Sequence, residues 1–440
     1  MTIVHMQQRG GNRSSGRSKF PIVAALDIGS TKICCMIAEV ALRPGKERGD
    51  PRAGLKVIGF GQTLSRGVRA GSIIDVNEAE CAIRLAVDAA ERMAGVSISD
   101  VYVGISGGRP QSRAVNGRVR TQNGVVSRRD VDGSVTIALA QVSVGKRKLL
   151  HVTPINHSLD GVSNIATPIG MHGDVLSTDV SVTSVEPAYL SNLTLAIEQA
   201  HLRPAGFVIA PYAAAKAALT ADELALGTFV IDLGGALTSV GFFNNGQLVS
   251  ADCLPLGAMH VTQDIAQGLS TTVAHAERMK TLWGSVLPDG HGDREMLAVP
   301  ALGERGVDTV HKVPKSHLTN ILRPRVEEIF ELVAAQISEM AFAAPGAGRV
   351  VLTGGGSLLT GVRELASAVL QRQVRLGGTA GFAQVSEQAR QAPFAVAAGT
   401  LCYAARPEMQ HGVSEEIEKF YQHSQMGYLR KVGIWLADAF

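Results

Sequence analysis

Residues 22–40 read IVAALDIGSTKICCMIAEV, and residues 228–249 read TFVIDLGGALTSVGFFNNGQLV. Each is an apolar strand, a tight glycine turn and a second apolar strand, with small or hydroxyl residues at the bend. In both, an Asp is followed by one apolar residue and a Gly: Asp27-Ile28-Gly29 and Asp232-Leu233-Gly234. The two Asp residues lie 205 positions apart, far too long a period for a solenoid. The pattern therefore predicts two related domains facing one another. Behind the second hairpin, Asn245-Gly246 marks a further two-residue turn.

Outward from the first hairpin, GLKVIGFGQTLS continues as a third strand. A capped helix follows from Val76, with apolar residues at Ala82, Leu85, Ala86 and Ala89. Residues 101–185 change texture after the strand VYVGISGG. They carry short β-like pieces (RAVNGRVRTQ, KLLHVTPINHSLDG, DVLSTDVSVTSV) and one helical stretch near Arg129–Val144. This reads as a small α+β unit inserted between a strand and a helix, the helix resuming over Glu186–Ala200. Beyond the second hairpin, helices are predicted over 259–284 and 316–342. RVVLTGGGSLLTGVRELASAVL then reads as strand, triple glycine and helix, and FAVAAGTLCYAAR as an Ala/Gly-rich helix.

The 440 residues are 45% hydrophobic and 18% charged, which suits a globular protein of two or more domains. The net charge of +3 is too small to imply a nucleic-acid surface, and no nucleic-acid partner is expected. Arg9, Arg13, Arg17 and Lys19 put +4 on a Gly/Ser/Arg-rich leader over 1–19, which reads as disordered. The five cysteines show no CxxC spacing and read as reduced core residues of a cytosolic protein. No secretory h-region and no bilayer-spanning apolar run is visible.

A bound nucleotide needs backbone N–H groups around its phosphates and a carboxylate to hold Mg²⁺. Two Asp-x-Gly hairpins can supply both: Gly29 admits the backbone to contact distance, and Ser30 and Thr31 add hydroxyl donors. Gly354, Gly355 and Gly356 open a predicted helix N-terminus, a place for a polar or anionic ligand. One such turn is common for purely structural reasons; two opening the two half-chains, with a third glycine-rich strand end, point to a shared site.

In that order and spacing, over about residues 20–405, ALDIGSTK, VIDLGGALTS and VLTGGGSLL resemble the two phosphate hairpins and the adenosine element of the actin superfamily. IAPYAAAKAAL and FAVAAGTLCYA match its two connecting helices. Within that superfamily the chain is similar to the FtsA family of bacterial division proteins. LLHVTPINHSLDGV and PIGMHGD resemble the FtsA-type subdomain, and GAMHVTQDIAQGLSTTVAHAERMK resembles a helix pair that approaches ribose and adenine. The resemblance implies an α/β, actin-like (ribonuclease H-like) two-lobed ATPase fold with an inserted α+β subdomain and a C-terminal amphipathic helix. It implies ATP and Mg²⁺ as cofactors, with Asp27 and Asp232 holding the metal through water. Gly29, Ser30, Thr31, Lys32, Gly234, Gly235 and Thr238 then line the phosphates, and Gly354, Gly355 and Gly356 pack on the nucleoside. Glu277 and Lys280 meet sugar and base, unless they are a solvated helix face; Lys32 could equally be an exposed strand residue. The first connecting helix, PYAAAKAALTADE, lacks the Gln that orients the attacking water in actin, and Asp222 and Glu223 at its end are the nearest acids. At most weak ATPase activity is expected, with no catalytic residue assigned.

The resulting division is a leader (1–19), a first lobe core (20–104 and 186–226) and the inserted subdomain (105–185). The second lobe has a core (227–258 and 349–405) and an outer subdomain (259–348). A linker (406–427) and an amphipathic helix (428–440) follow. On a helix, Leu429, Val432, Trp435, Leu436 and Phe440 fall on one face, with Arg430 and Lys431 toward the other. Such a helix is too short to span about 30 Å of hydrocarbon but can lie in the interface, each basic residue adding about 1 kcal/mol of attraction to anionic lipid. A helix docking back on the body is the bland alternative. The resemblance further implies self-assembly into filaments, binding of the FtsZ C-terminal tail, recruitment of later division proteins, and location on the cytoplasmic face of the inner membrane at the septum. Lys312, Lys315, Arg323 and Arg325 are the candidate contacts for that acidic tail, or else a solvated helix paired to Glu327 and Glu328. A sugar-kinase-type phosphotransferase is the alternative of the same superfamily, and a chaperone finds no substrate-binding domain here.

Overall fold

The computed structural model describes residues 20–41, 50, 52, 54–142, 145–288, 294–300, 310–341, 348–379, 381–382 and 386–406. The leader over 1–19, nearly all of the linker and the amphipathic segment over 428–440 lie outside the described residues.

In the first lobe, β1 (Ile22–Ile28), β2 (Lys32–Val40) and β3 (Leu55–Leu64) form an antiparallel meander. A two-residue ladder of β4 (Val68–Arg69) with β5 (Ser72–Ile73) leads to α1 (Val76–Ala94) and β6 (Asp100–Ile105). β1 and β2 are buried on both faces, which is why they read as apolar runs rather than as an alternation. The inserted subdomain holds β7 (Gln111–Arg120), α2 (Arg128–Ala140), β8 (Lys148–Leu159) and β9 (Val175–Val185), in sheet order β7-β9-β8. The chain returns through α3 (Pro187–Gln199) and β10 (Arg203–Ile209) and crosses to the second lobe along α4 (Ala210–Ala218) and α5 (Ala221–Leu226).

The second lobe opens with β11 (Thr228–Leu233), β12 (Thr238–Asn244) and β13 (Gln247–Leu254), the last two joined by Asn245-Gly246. Both turn residues have positive φ, 49° and 79°, as this hairpin chemistry requires. Then come α6 (Ala258–Gly268), α7 (Val273–Trp283), the ladder of β14 (Met296–Pro300) with β15 (Val310–Pro314), and α8 (Lys315–Ala341). The chain closes through β16 (Arg349–Thr353), α9 (Val362–Leu370), β17 (Gln373–Leu376) and α10 (Ala395–Ala404).

The two large sheets share one plan. Their orders are β3-β2-β1-β6-β10 and β13-β12-β11-β16-β17: an antiparallel meander whose first strand pairs in parallel with a fourth, and that with a fifth. The register repeats as well. Ile28 pairs with Ile33 and Leu233 with Thr238, each shifted by the same 205 residues that separate the two Asp. The connecting helices α4 and α10 cross at Gly399, where a β-carbon would land on the carbonyl oxygen of Ala213. Ala and Gly are the residues that permit so close a crossing.

Two sequence expectations need correction. In α1 the buried stripe is Ala79, Ala82, Ile83, Ala86, Val87 and Ala90, and Leu85 is exposed. The helix is capped by Asp75, which accepts from the amides of Asn77 and Glu78, and it packs between the sheet and α3, which turns Leu85 outward. Cysteine burial is likewise uneven: Cys34, Cys35 and Cys402 are buried and Cys253 half-buried, while Cys81 on the outer side of α1 is exposed.

Candidate functional site

The hairpin tips are built alike. The Gly29 amide donates to the Lys32 carbonyl at 3.0 Å, and the Gly234 amide to the Leu237 carbonyl at 2.9 Å. Each turn delivers the last Asp of its strand, Asp27 or Asp232, to the end of the sheet, opposite Cys34 and Ser239 respectively. In the parallel direction Asp27 lies beside Gly104 and Asp232 beside Thr353, so both carboxylates stand at the carboxyl ends of their central strands. That is where open α/β sheets bind ligands.

Both carboxylates are buried. Burial raises the Asp27 carboxyl above its ordinary 3.8, and the Lys32 ammonium opposes the rise. Asp232 is pushed up to about 6, first by burial and then by the charge of Asp27, again against Lys32. The charge of Asp27 thus reaches Asp232 across the lobes, and Lys32 opposes the rise at both. The Lys32 ammonium also lies over the Phe394 ring, 5.3 Å from its centroid.

The third glycine-rich element closes over Asp232. Gly354 follows Thr353 with φ +86°, and a β-carbon there would overlap Oδ1 of Asp232. Its amide donates to the Ala392 carbonyl at 3.3 Å, and the Thr353 hydroxyl to the same oxygen at 3.1 Å. Gly355 and Gly356 open a single 3-10 turn, Gly355–Leu358, and the α-helix begins later at Val362. The expectation of an α-helix N-terminus at the three glycines is corrected accordingly. Gly354 must keep a backbone conformation that starts no regular helix.

Further members of the predicted set converge here. The Ser30 hydroxyl accepts from the Gly71 amide at 2.9 Å, and Thr31 rests on Gly235 of the opposite hairpin. The Thr238 hydroxyl donates to the Leu256 carbonyl at 2.7 Å. The carbonyls of Gly234 and Gly235 accept from the first amides of α6, those of Ala258 and Met259. Lys280 donates to the Ala258 carbonyl at 3.1 Å, to the Thr262 hydroxyl at 2.8 Å and to Glu277 at 2.7 Å. Glu277 also accepts from Thr262 at 2.5 Å. Glu277 and Lys280 are thus wired to the second hairpin through one turn of α6, and Lys280 is only 13% exposed. Gly71, Thr262 and Phe394 were missed in sequence. Of these, Thr262 had a signal, since it lies one helical turn beyond Ala258.

The donor set fits a nucleotide with Mg²⁺. Two carboxylates cannot saturate Mg²⁺, which keeps several waters and takes phosphate oxygens as ligands. Among the described residues no group of three or more His, Cys, Asp or Glu could hold a metal alone. Glu223 is committed elsewhere: it accepts from Arg375 Nε at 2.6 Å, pairs with a second Arg375 nitrogen at 2.5 Å, and caps α5 through the Thr220 amide at 2.9 Å.

The basic residues proposed for the partner tail lie apart, on β15 and α8. Lys315 pairs with Glu295 at 2.8 Å and Arg323 with Glu327 at 3.7 Å. Arg325 holds Asp264 of α6 at 2.6 Å and pairs with Glu328. Lys312 is exposed on β15. No helix among the described residues is long and apolar enough to cross a membrane.

Residues 229–399 match the family model described as cell division protein FtsA, and residues 107–184 the SHS2 domain inserted in FtsA. The cell division protein FtsA of Agrobacterium fabrum is 39% identical over 430 residues, covering 97% of this chain and 96% of its own. That of Rhizobium meliloti is 38% identical over 426 residues, covering 95% of each. Among solved structures, the PilM-PilN type IV pilus biogenesis complex superposes with TM-score 0.61 at 16% identity, covering 88% of this chain and 99% of that chain. The crystal structure of Spiroplasma citri MreB5 bound to ADP gives TM-score 0.50 at 14% identity, covering 87% and 95%. The fold is actin-like α/β, with the family's insert carried between β6 and α3.

Proposed function

Since this chain belongs to the FtsA family of cell division proteins, we propose that it binds ATP with Mg²⁺ between its lobes, assembles into filaments and tethers FtsZ to the cytoplasmic face of the inner membrane at the septum. The observation that carries the nucleotide reading is the convergence of Asp27, Asp232 and Gly354 at one cleft: two buried carboxylates near enough for the charge of the first to act on the second, and over Asp232 a backbone with no room for a side chain. Bound Mg²⁺ supplies positive charge where phosphate and carboxylates meet. Asp27 and Asp232 would hold it through water, Lys32 offsets part of their negative charge, and Glu277 and Lys280 hold the first turn of α6 against the second hairpin. MreB5 of Spiroplasma citri, which shares the fold, has been solved bound to ADP and to AMPPNP.

Glu223, just beyond the end of α4, is tied to Arg375 and Thr220 and so is not free to activate water or an acceptor hydroxyl, which leaves Asp222, exposed on the surface of α5, as the other nearby acid. Nucleotide then acts chiefly by favouring one lobe arrangement, and a sugar-kinase role cannot draw its base from Glu223. The membrane anchor is the segment 428–440, with Leu429, Val432, Trp435, Leu436 and Phe440 facing lipid and Arg430 and Lys431 its headgroups. One such helix binds weakly, and filament formation multiplies it. The FtsZ tail docks on β15 and α8, with Lys312, Lys315, Arg323 and Arg325 as its contacts, the tail's acids competing with Glu295, Glu327 and Asp264 for the last three. Later division proteins are recruited by the assembled filament.

The test is co-sedimentation with FtsZ and liposomes of anionic lipid, with and without ATP. ATP-dependent recovery of both in the pellet is expected. Deletion of 428–440, or Trp435→Glu, should abolish flotation while ATP binding survives; unchanged flotation ends the tether reading.

A further inference from the structure

The inserted subdomain leaves the first lobe at Gly107–Pro110 and returns at Glu186, yet its sheet does not rest only on that lobe. Ser112 and Ser181 lie on the face of that sheet turned away from α2. They reach the outer edge of β13, which belongs to the second lobe. The Ser112 hydroxyl donates to the Ala251 carbonyl at 3.1 Å and accepts from the Ala251 amide at 3.0 Å. Its one proton is therefore used, and the Thr183 hydroxyl, 3.1 Å away, donates to it. Two residues along, the Ser181 hydroxyl donates to the Val249 carbonyl at 2.8 Å.

On the same face, next to Thr183 in the sheet, stands His151. Its Nε2 accepts from the Ile209 amide at 3.1 Å, at the start of the connecting helix α4. The ring stacks on Tyr212 of α4, 5.5 Å between centroids, and meets Tyr403 of α10 edge-on at 6.1 Å. One row of side chains, His151, Thr183 and Ser112, thus runs from the interlobe hinge to the second lobe. The seam on β13 is polar and incompletely filled, with a cavity of about 340 Å³ beside it lined by Arg113, Asp252, Gln336 and Glu339. Contacts made by hydroxyls next to such a gap can part and re-form, which an apolar core would not allow.

We propose that the inserted subdomain is a brace: docked on β13 through Ser112 and Ser181, it holds the two lobes closed, and its release opens the cleft. In its nucleotide consequence this rests on the function proposed above; in its mechanical claim it does not. The brace is fixed to the first lobe, grips the second, and touches the hinge helices between them, so opening must break the β13 seam or carry the subdomain along.

The experiment compares full-length protein with Ser112→Ala/Ser181→Ala and with Ser112→Thr, first by hydrogen exchange of the free protein. The double variant should speed exchange about tenfold at the two hairpin tips, residues 27–33 and 232–238, which do not touch the seam. Ser112→Thr, which keeps the hydroxyl, should match the wild type. Faster exchange confined to 111–116 and 247–254, with unchanged tips, overturns the brace. In a second arm, release of a fluorescent ATP analogue should quicken in the double variant by a similar factor; equal release rates also count against it. If neither protein binds the analogue, the nucleotide reading fails, and the exchange arm alone decides the brace.

Discussion

Thr31 of the first hairpin lies against Gly235 of the second with no space for a β-carbon between them: one built at 235 would overlap Thr31 Cγ2 and stand 3.2 Å from its hydroxyl oxygen. The two lobes thus meet at their hairpin tips through a methyl group and a bare backbone. Gly235→Ala should prise the tips apart. Thr31 is a side chain that can rotate, so stability should fall by about 1 kcal/mol or less, while affinity for an ATP analogue drops about tenfold. Thr31→Ser removes the obstructing methyl and should restore most of that affinity in the double variant. Additive losses in this cycle, measured by equilibrium titration, would show that the contact does not couple the lobes.

Asp232 predicts an unusual pH dependence. Its folded-state pKa, raised by burial and by Asp27 to about 6, exceeds its ordinary 3.8. The folded chain therefore holds this proton where the unfolded chain has lost it. Folding stability in the absence of nucleotide should fall as pH rises from about 4 to about 6, by up to about 3 kcal/mol from this group. Asp232→Asn should be the more stable protein at pH 7, and its advantage should vanish near pH 4. Urea midpoints across that range test the sign, and Asp27, raised by burial as well, preserves part of the slope in the variant. The same substitution should abolish Mg²⁺-dependent nucleotide binding.

Arg375 and Glu223 join β17 to the end of α4, and Arg375 also donates to the Ala218 carbonyl at 2.8 Å. Arg375→Ala strands a carboxylate that is only 8% exposed. Because the arginine itself is partly solvated, a loss of about 1–3 kcal/mol is expected rather than the larger figure for a fully buried pair. Glu223→Gln should leave any ATP turnover unchanged. A drop of tenfold or more, at equal stability, would return Glu223 to the chemistry.

Gly399→Ala should be the most damaging of the glycine substitutions, because the added methyl would approach a backbone atom, the carbonyl oxygen of Ala213, more closely than a β-carbon at any other described glycine would. The helices α4 and α10 must separate, with both lobes attached to them. A loss of about 3 kcal/mol or more is expected, read as a lowered thermal midpoint. Retention of the wild-type midpoint would mean that the two helices can part at this crossing without cost.

Both hairpins, their 205-residue spacing and the Asn245-Gly246 turn are legible in sequence because each depends on neighbouring residues. The same holds for the start of α1, where Asp75 precedes the helix it caps. What escapes is whatever depends on distant chain. Arg325 reads as an available cation until α6 brings Asp264 to it from 61 positions away. Leu85 reads as core until the packing of α1 on the sheet and on α3 turns it outward. Phe394, in a 3-10 turn just before α10, gives no hint that it sits beneath Lys32, which is distant in sequence and carried on β2. Ser112 and Ser181 are small polar residues in a strand, and no periodicity announces a hydroxyl that serves as a docking contact.

β13 has one further consequence. A strand at the rim of a sheet offers open amides and carbonyls to any extended chain, and so invites runaway strand-to-strand stacking. Here the rim is occupied at Val249 and Ala251 by serine hydroxyls, which satisfy the backbone without extending the sheet. The subdomain thereby closes this stretch of the second lobe's open strand edge to any pairing strand.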